Sequence, residues 1–437
     1  MLKNFLKRLC PADFLRFYHW TLAKTAACYY GHPSRRLIVV GITGTGGKSS
    51  TVYLLAKLLE AAGWKVGAAS TIFFKIGAAE KLNDKKMTML GRWQTQRLLA
   101  RMAAAGCRLA IIETTSQGME QYRHLGIDYD VAALTNFYPE HLEAHGGWEN
   151  YKRAKAKLFA ALSRAKKKNF APPKTIVVNG DDASAPFFLS FAAEEKVAFG
   201  LGNFSFAGAR SIKAEEVELS EKGIKFKVGV EEFHLPLLGR FNVYNALAAA
   251  AIASVLGLKW GEIAAAAQTL STIPGRQEFI DEGQSFQVMV DYAFEPKALS
   301  ELYEAVKLAP HQRIIHVLGS AGGGRDVSRR PKLGEIAGRG ANYVIITNED
   351  PYDDNPAQII REVARGALSA GKQEGRDLFL ILDRREAIAK ALSLVREGDL
   401  VLLTGKGSEQ AICVGNGKKI PWDDRRAVRQ ELKKSKI

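Results

Sequence analysis

The sequence predicts an α/β protein with two successive, mostly parallel sheets and one small antiparallel sheet. From Leu37 onward, short runs of β-branched residues alternate with longer amphipathic stretches, as in parallel sheets covered by helices. Between residues 196 and 237 the helical period gives way to alternation, as at Ile224 and Phe226, which predicts the antiparallel sheet. A second α/β series begins after Pro274 and Gly275, which break a helix.

Ten strands and seven helices can be placed individually. Strands are expected at 37–42, 66–73, 109–113, 131–135, 175–179, 288–291, 313–318, 343–347, 378–382 and 400–403. Helices are expected to begin near residues 48, 93 and 148, and to cover 296–307, 329–338, 356–370 and 384–396. The predicted units are an amphipathic helical segment (1–36), a central domain (37–273) and a Rossmann-like carboxy-terminal domain (274–437).

Composition and charge restrict the function classes open to the chain. Its 437 residues contain no apolar run near the roughly 20 needed to cross a bilayer. The formal net charge of +16 favours an anionic partner, but lysines also gather in ordinary solvated runs such as 166–168, so charge alone does not indicate nucleic acid. The four cysteines lack metal-site or disulfide spacing, which is typical of a reducing, cytoplasmic setting.

The first 36 residues interleave basic side chains with aromatic ones such as Phe14, Phe17 and Trp20. This segment has neither the compact apolar core nor the cleavage site of a secretion signal. It predicts an amphipathic helix that packs on its own domain, and peripheral attachment to a membrane surface stays open as the alternative.

A glycine-rich turn joins the first predicted strand to the first helix. It reads Gly41-Ile42-Thr43-Gly44-Thr45-Gly46-Gly47-Lys48-Ser49-Ser50. Successive backbone N–H groups in such a turn can face a triphosphate, while Lys48 brings a charge and Ser49 a hydroxyl for Mg²⁺. The position five before Gly47 is Ile42 rather than the glycine of the general pattern. The central domain is therefore predicted to be of the P-loop NTPase type, with ATP and Mg²⁺ as cofactors.

Three further motifs follow this loop. They are Glu113-Thr114-Thr115-Ser116-Gln117-Gly118, Thr135-Asn136-Phe137-Tyr138-Pro139-Glu140-His141-Leu142-Glu143-Ala144-His145 and Tyr151-Lys152-Arg153-Ala154-Lys155-Ala156-Lys157-Leu158-Phe159. They resemble the Mur ligase pattern of Glu-x-Ser-Ser, then Thr-Asn-x-x-x-Asp-His-Leu-Asp-x-His, then Tyr-x-x-Ala-Lys-x-x-Leu-Phe. The resemblance implies an ATP-dependent ligase that phosphorylates a carboxylate and lets an amine displace the phosphate.

The resemblance also implies three sets of site residues. Residues implied in catalysis are Lys48, Glu113, His141, Lys155 and Arg276. The implied metal ligands are Ser49, Glu113, His141 and Lys155, the lysine in carbamylated form. The implied nucleotide contacts are Gly44, Thr45, Gly46, Gly47, Lys48, Ser49, Ser50, Asn242, Asn245, Arg276 and Asp291.

Three more motifs resemble the family pattern: Gly239-Arg240-Phe241-Asn242-Val243-Tyr244-Asn245-Ala246-Leu247, Gly275-Arg276-Gln277-Glu278 and Asp291-Tyr292-Ala293-Phe294-Glu295-Pro296. The resemblance implies particular roles for their residues. Asn242 and Asn245 would approach the nucleotide base, Arg276 the transferred phosphate and Asp291 the ribose. Phe294 stands where the family commonly has histidine. Considered apart from the motif, Lys155 is typical of a solvated helix lysine, and His145 is interpreted as a loop histidine.

The carboxy-terminal motifs are similar to the MurE-type branch, which adds the third amino acid of the peptidoglycan stem to UDP-MurNAc-L-Ala-D-Glu. They are Gly324-Arg325-Asp326-Val327-Ser328-Arg329-Arg330-Pro331, Thr347-Asn348-Glu349-Asp350-Pro351-Tyr352-Asp353-Asp354-Asn355-Pro356 and Thr404-Gly405-Lys406-Gly407-Ser408-Glu409. The implied substrate contacts are Thr88, Thr115, Gln121, Arg123, Arg325, Glu349, Asp350, Tyr352, Gly405 and Glu409.

The same motifs bear on which amino acid is added. Diaminopimelate-adding members carry Asp-Asn-Pro-Arg where this chain has Glu349-Asp350-Pro351-Tyr352, so the cation expected to hold a distal carboxylate is missing. The acidic side chains predict a pocket for an amine-ended amino acid, lysine or ornithine rather than diaminopimelate. A lysine or arginine from another loop would be able to supply the missing cation.

Other functions stay open. Family members usually carry a uridine-binding domain ahead of the P-loop domain, whereas 36 residues precede Leu37 here, which favours a folylpolyglutamate synthetase-like or orphan carboxylate–amine ligase. The cysteines do not form the zinc ribbon of lipid II amidating ligases. A nucleotide-switched P-loop binding module is the alternative of another class. The expected partners are UDP-MurNAc-dipeptide or a similar anionic acceptor and a free amino acid, with no nucleic acid, and the chain is expected to be a monomer.

Overall fold

The computed structural model describes residues 12–140 and 145–435. The first nine strands are β1 (Ile38–Thr43), β2 (Val66–Ala69), β3 (Phe73–Ile76), β4 (Ala79–Leu82), β5 (Leu109–Glu113), β6 (Val131–Leu134), β7 (Thr175–Asn179), β8 (Glu195–Gly200) and β9 (Arg210–Lys213). They form one sheet in the order β4-β3-β2-β5-β1-β6-β7-β8-β9. From β2 to β9 this order is parallel, and β3 and β4 add an antiparallel hairpin at one edge.

Helices cover both faces of this nine-stranded sheet. They are α1 (Ala12–Tyr29), α2 (Lys48–Ala61), α3 (Arg92–Ala104), α4 (Ser116–Glu120), α5 (Trp148–Arg164), α6 (Ala185–Leu189), α7 (Arg240–Val255) and α8 (Trp260–Gln268). Every residue of β1 is buried, and its side chains enter two cores, with Val40 in one and Val39 in the other. The continuous apolar run at 38–42 therefore reflects a strand covered on both faces.

The amino-terminal helix α1 packs against α3 at its carboxy-terminal end, where the rings of Tyr29 and Trp93 lie 5.4 Å apart. This contact agrees with the predicted packing on its own domain. Phe14 and Phe17 are 58% and 63% exposed, so attachment to a membrane surface stays a prediction. Within residues 12–140 and 145–435, no helix combines the length and apolarity that a membrane crossing requires.

Two details of the first strand series differ from the prediction. The segment 66–73 is two strands, because Ser70 Oγ accepts from the backbone N–H of Ile72 (3.1 Å) and Phe73 (3.2 Å) and so closes a local turn. The antiparallel sheet does not begin at 196, since β8 and β9 extend the parallel sheet. β8 ends in a continuous buried run, which is the pattern of a parallel strand.

The antiparallel sheet contains β10 (Glu215–Ser220), β11 (Gly223–Val228) and β12 (Glu231–Leu235). The six-stranded sheet that follows contains β13 (Glu278–Phe279), β14 (Gln287–Val290), β15 (Ile314–Leu318), β16 (Tyr343–Ile346), β17 (Leu378–Leu380) and β18 (Leu400–Leu403). Its order is β13-β14-β18-β15-β16-β17, parallel except for β13. The α/β fold with a small antiparallel sheet is thus confirmed.

The six-stranded sheet also has a core on each face. Its helices are α9 (Pro296–Val306), α10 (Arg329–Gly340), α11 (Pro356–Ser369), α12 (Arg384–Leu394) and α13 (Asp424–Ser435). A hairpin of β19 (Ala411–Val414) and β20 (Lys418–Pro421) precedes α13, and neither the hairpin nor α13 was predicted. The domain boundary at residue 274 stays a prediction.

The sheets determine where polar side chains gather. In parallel α/β sheets, ligands bind beyond the carboxyl ends of the strands. β1, β5 and β6 are neighbours in the large sheet, so the loops after Thr43, Glu113 and Leu134 meet. In the six-stranded sheet, β18, β15 and β16 are likewise neighbours, and their loops form a second group.

Candidate functional site

The glycine loop after β1 lies so close to its neighbours that side chains are excluded. A Cβ on Gly44 would lie 1.9 Å from Thr135 Oγ1, and a Cβ on Gly47 would lie 2.1 Å from Asn245 Oδ1. Gly47 also adopts φ 74°, a conformation that other residues rarely take. The loop continues directly into α2, which begins at Lys48.

Residues after β6 hold the loop in place. Asn136 Oδ1 accepts from the backbone N–H groups of Thr45 (3.1 Å) and Gly46 (2.8 Å). Thr135 Oγ1 donates to the carbonyl of Gly46 at 2.7 Å. Tyr151 OH lies 3.2 Å from Thr45 Oγ1. The loop is therefore preorganised by hydrogen bonds from a neighbouring strand end and from α5.

The Glu113 carboxylate lies beside this loop at the end of β5. Its Oε2 accepts from Ser49 Oγ (2.9 Å) and from the Thr71 N–H (2.7 Å). Thr71 Oγ1 lies 2.7 Å from Thr88 Oγ1. A carboxylate and a hydroxyl in contact next to a phosphate loop are oxygen donors suited to Mg²⁺. Among the described residues, no three His, Cys, Asp or Glu side chains converge as a ready-made metal cluster.

Two lysines face the same region. Lys48 Nζ donates to Thr45 O at 2.7 Å, and Lys155 Nζ donates to Gly44 O at 2.6 Å. Lys155 is buried, so the interpretation as a solvated lysine is wrong for this helix position. Burial and then the charge of Lys48 hold the pKa of Lys155 well below its usual value, while Glu140 opposes them. Burial and Lys48 thus both disfavour the charged form of the Lys155 amine.

Nearly all predicted site residues line two adjoining cavities. The larger cavity, the phosphate-loop cleft, measures about 1010 Å³ and includes Thr45, Gly46, Gly47, Lys48, Ser49, Ser50, Thr88, Glu113, Thr115, Gln121, Arg123, Lys155, Asn242, Asn245, Arg276, Asp291 and Arg325. The smaller cavity, the side pocket, measures about 100 Å³ and includes Thr88, Arg325, Glu349, Asp350, Tyr352, Gly405 and Glu409. Gly44 contributes its carbonyl to Lys155. His141 lies outside the described residues.

The turn between α8 and β13 joins the two groups of loops. Gly275 and Gln277 both have positive φ, at 63° and 48°. A Cβ on Gly275 would lie 2.0 Å from the backbone nitrogen of Ser408, so the turn packs tightly on the loop after β18. The Gln277 N–H donates to Asp291 Oδ2 (2.8 Å), and its Oε1 accepts from Asn242 Nδ2 (2.9 Å).

Arg276 is held within this turn. Its guanidinium carbon lies 4.2 Å from the centre of the Tyr292 ring, and Nη1 donates to Gly275 O at 3.0 Å. Burial lowers the pKa of Arg276, and Asp291 opposes that effect. The side chain faces the phosphate-loop cleft from the beginning of the six-stranded sheet.

The side pocket is charge-balanced, whereas the sequence predicted an acidic one. Asp350 and Glu409 each contact two ammonium groups, those of Lys86 and Lys406. Lys406 is fully buried and also donates to Ala411 O at 2.7 Å. We call these four side chains, Lys86, Lys406, Asp350 and Glu409, the lysine–carboxylate cluster. The prediction failed because Lys86 comes from the loop after β4, more than 260 residues away in sequence.

One guanidinium in the pocket has no such partner. Arg325 lines both cavities, and among residues 12–140 and 145–435 no carboxylate lies within ion-pair distance of it. Arg329, in contrast, pairs with Glu295. Burial raises the pKa of Glu295 to about 7 even though Arg329 opposes the shift. Arg325 is therefore the cation available to a ligand carboxylate.

The far end of the cleft is formed by α4 and the residues after it. Thr115 Oγ1 accepts from the Gly118 N–H at 3.1 Å and caps α4. Arg123 Nη2 donates to Gln121 Oε1 at 2.6 Å. His145, interpreted from the sequence as a loop histidine, is buried, with its Nε2 3.0 Å from Ser116 Oγ.

The fold and the site define a nucleotide-binding α/β ligase in which a P-loop cleft opens onto a second binding pocket. The chain belongs to the Mur ligase family, whose members are ATP-dependent, ADP-forming ligases. The Mur ligase middle domain matches residues 42–253, and the Mur ligase glutamate ligase domain matches residues 275–407.

Named relatives extend this result over nearly the whole chain. A UDP-N-acetylmuramyl-tripeptide synthetase of Roseiflexus sp. (strain RS-1) is 40% identical over 94% of this chain and 81% of its own. A UDP-N-acetylmuramoyl-L-alanyl-D-glutamate–2,6-diaminopimelate ligase of Caldanaerobacter subterraneus is 34% identical over 95% of this chain and 82% of its own.

Solved structures agree in fold. One diaminopimelate ligase structure is 29% identical, with a TM-score of 0.59 over 92% of this chain and 79% of that one. A Mycobacterium tuberculosis folylpolyglutamate synthase, solved with ADP and AMPPCP, has a TM-score of 0.68 at 16% identity, over 88% and 92% of the two chains. The second similarity shows the fold alone.

Sequence reasoning missed several polar residues of the site. Asn136 was within a recognised motif, but its hydrogen bonds to the loop amides depend on how β6 lies beside β1. Thr71, Lys86 and Lys406 were not singled out, because their partners are distant in the sequence or belong to another loop. The positive φ of Lys86, 53°, is a structural signal that the sequence does not reveal.

The buried Glu349 carboxyl group should make the free energy of unfolding depend on pH. Burial, followed by Asp350, raises the pKa of Glu349 to about 7, while Lys406 opposes the rise. Folding therefore favours its protonated form, and stability falls as the pH rises from about 4.5 to about 7. Glu349→Gln should be more stable than the unchanged protein at pH 8 by on the order of 3 kcal/mol, and equally stable near pH 4.

Urea unfolding at the two pH values measures this difference. Glu374→Gln, at an exposed position of the same sheet region, is the matched control and should change stability at neither pH. Equal stabilities of Glu349→Gln and the unchanged protein at pH 8 would contradict the assigned titration.

Proposed function

We propose that the chain joins a free amino acid to UDP-MurNAc-L-Ala-D-Glu, or to a similar anionic acceptor, as the third residue of the peptidoglycan stem. The observation that carries the proposal is that Thr88, Phe294 and Arg325 line both the phosphate-loop cleft and the side pocket. A carboxylate activated in the cleft would therefore lie beside an amino acid held in the pocket.

The first step transfers the γ-phosphoryl group of ATP to an acceptor carboxylate oxygen, giving ADP and an acyl phosphate. Lys48 and Arg276 face the cleft and would stabilise the negative charge on the phosphoryl group. The N–H groups of Gly47 and of the start of α2 would bind the other phosphates, since those of Thr45 and Gly46 already donate to Asn136. Bound Mg²⁺ would neutralise charge on the β- and γ-phosphates, and Ser49 and Glu113 are its proposed ligands.

Lys155 is proposed to act as a carbamate. An uncharged lysine amine adds to CO₂ and releases a proton, which converts a cationic side chain into an anionic oxygen ligand. The lowered pKa of Lys155, caused by burial and then by Lys48, supports this reaction. Together with Glu113 and His141, the carbamate would bind a cation between the glycine loop and the acceptor.

Nucleotide and acceptor contacts are assigned by position. Asn242, Asn245 and Asp291 line the cleft and are proposed to contact the nucleotide, with Asn245 nearest the loop because its Oδ1 faces Gly47. The acceptor is proposed to extend along Thr88, Thr115, Gln121 and Arg123, which line the same cleft beside α4.

In the second step the amine of the amino acid attacks the acyl-phosphate carbon, inorganic phosphate leaves, and the amine loses a proton as the amide forms. Arg325 is proposed to bind the α-carboxylate, because a guanidinium offers two donors in carboxylate geometry and no carboxylate of the described residues is in ion-pair contact with Arg325. Glu349, Asp350, Tyr352, Gly405 and Glu409 then surround the side chain.

We propose lysine or ornithine as the amino acid, because Tyr352 offers no charge to a second carboxylate. Relatives named as diaminopimelate ligases favour the competing choice. Lys86, which lines the side pocket, is a cation from another loop that bears on that choice.

The proposed activity predicts that Lys48→Ala loses turnover while the fold is retained. Phosphate release is measured with ATP, Mg²⁺, a panel of nucleotide-sugar peptides and folates, and L-lysine, L-ornithine or meso-diaminopimelate. The rate should fall on the order of 10²- to 10³-fold, because a donor to the transferring phosphoryl group is removed. Lys57→Ala on the same helix, whose side chain pairs with Glu80, should leave the rate unchanged.

Two results would contradict this account. Near-normal phosphate release by Lys48→Ala would show that the glycine loop is not the site of phosphate transfer. ATP binding with no release that depends on an amine and an acceptor would instead indicate a nucleotide-switched binding module.

The carbamate proposal predicts that Lys155→Ala is inactive and that added formate or acetate partly restores activity. A small carboxylate can occupy the space of the carbamate and supply the missing oxygen ligands. Arg153→Ala, at an exposed position of the same helix, is the control and should need no rescue. An active, nucleotide-bound sample whose Lys155 shows no added CO₂ by mass or by electron density would refute the modification.

A further inference from the structure

The side chain of Lys86 crosses from one group of loops into the other. Lys86 lies between β4 and α3, beside the nine-stranded sheet. Its Nζ donates to Asp350 Oδ2 at 2.6 Å and contacts Glu409 Oε2, and both acids lie in loops of the six-stranded sheet. The side chain is only 4% exposed. Burial alone would lower the pKa of Lys86, but Glu409 and Asp350 raise it above its usual value, so the group is a charged ammonium.

A second ammonium group, that of Lys406, also pairs with the same two carboxylates. Lys406 Nζ lies 2.9 Å from Asp350 Oδ1 and 2.9 Å from Glu409 Oε2. The lysine–carboxylate cluster therefore has two positive and two negative charges. Without the Lys86 ammonium its net charge would be −1. Asp350 and Glu409 would then be a site for one further cation of ammonium type beside Arg325.

The backbone of Lys86 adopts an unfavourable conformation while its side chain lies in the pocket. Its φ of 53° is in the left-handed region, which is unfavourable for a residue with a Cβ. The preceding carbonyl, of Lys85, accepts from Lys419 Nζ at 2.8 Å, which fastens this loop to the β19–β20 hairpin. The ion pairs of Lys86 thus maintain a loop conformation that the chain does not otherwise favour.

The pocket dimensions make Lys86 and a ligand side chain competitors. The side pocket measures about 100 Å³, and Lys86 is part of its wall together with Arg325, Asp350 and Glu409. An amino acid whose α-carboxylate binds Arg325 extends its side chain toward the same acids. A terminal ammonium on that side chain would replace Lys86 with no change in the charge of the cluster, whereas an apolar end would leave a buried net charge behind.

We propose that Lys86 is an internal substitute for the terminal ammonium of the incoming amino acid, and that a diamino acid binds by displacing it from Asp350 and Glu409. The proposal rests on the proposed function, since it concerns the amino-acid pocket. As a consequence, the pocket would select amino acids by exchanging the Lys86 ammonium for the ammonium of the ligand. Only a side chain that brings its own ammonium releases Lys86, and the competition weakens the binding of that amino acid in the unchanged protein.

The test compares Lys86→Met with the unchanged protein. Methionine keeps an unbranched chain of similar length and removes the charge. The KM for L-lysine, L-ornithine and meso-diaminopimelate is measured by phosphate release, and direct binding of the same amino acids is measured by calorimetry without acceptor. Lys86→Met should lower the KM and the dissociation constant of the accepted diamino acid about tenfold or more, while binding of L-norleucine stays unchanged.

Controls separate this proposal from the general activity. Lys85→Met, in the same loop and exposed, should behave as the unchanged protein, and Lys86→Gln provides a second neutral variant if Lys86→Met does not fold. A KM or dissociation constant that rises or stays the same in the neutral variants overturns the proposal, as does a diamino acid that binds neither protein. If no amino acid stimulates phosphate release, the proposed function fails, and calorimetry still decides whether Lys86 competes with a diamino acid.

Discussion

The site depends on the close approach of one glycine loop to the ends of two neighbouring strands. Side chains are excluded at Gly44 and Gly47 because Thr135 and Asn245 occupy the space where a Cβ would be. This approach places Ser49 within hydrogen-bond distance of Glu113 at the end of β5. The parallel order of β5, β1 and β6 makes the contact possible, since it brings three carboxyl ends to one edge.

Buried charge is organised differently at the two ends of the site. At the phosphate loop, Lys155 has no carboxylate in ion-pair contact among the described residues, and its amine is driven toward the neutral form. In the side pocket, each buried carboxylate of the cluster contacts two ammonium groups. Burying an unpaired charge is costly. The unpaired Lys155 amine therefore favours chemistry at its nitrogen, whereas the paired carboxylates of the cluster favour exchange of one cation for another.

Much of the fold could be predicted because the strands carry a strong pattern. β5, β7 and β18 were placed at their observed bounds, since each is a short apolar run between polar turns. The predictions failed for segments whose structure depends on particular side-chain or long-range contacts. The side chain of Ser70 bends the chain between β2 and β3, and the β19–β20 hairpin has no clear alternation in sequence. Several site motifs follow a strand end, whereas the motif at 151–159 lies within α5, and all of them were recognised by their resemblance to the family pattern.

The charges of the side pocket could not be predicted in the same way. Glu349, Asp350 and Glu409 were correctly placed together from their motifs. Their pairing with Lys86 depends on how a loop of one sheet meets the loops of another, and no local pattern encodes that distance. The sequence therefore indicates which residues form the pocket more reliably than it indicates the net charge of the pocket.

The central claim is that a carboxylate of the acceptor is activated by phosphorylation in the phosphate-loop cleft before the amine attacks. Transfer of oxygen-18 tests this claim most directly. An acceptor labelled in both oxygens of its reacting carboxylate is turned over with ATP and the amino acid, and the inorganic phosphate is analysed by mass spectrometry. The account predicts one labelled oxygen in each phosphate released, because the oxygen that joins carbon to phosphorus leaves with the phosphate. Phosphate without label, formed at the same rate as the amide, would contradict it.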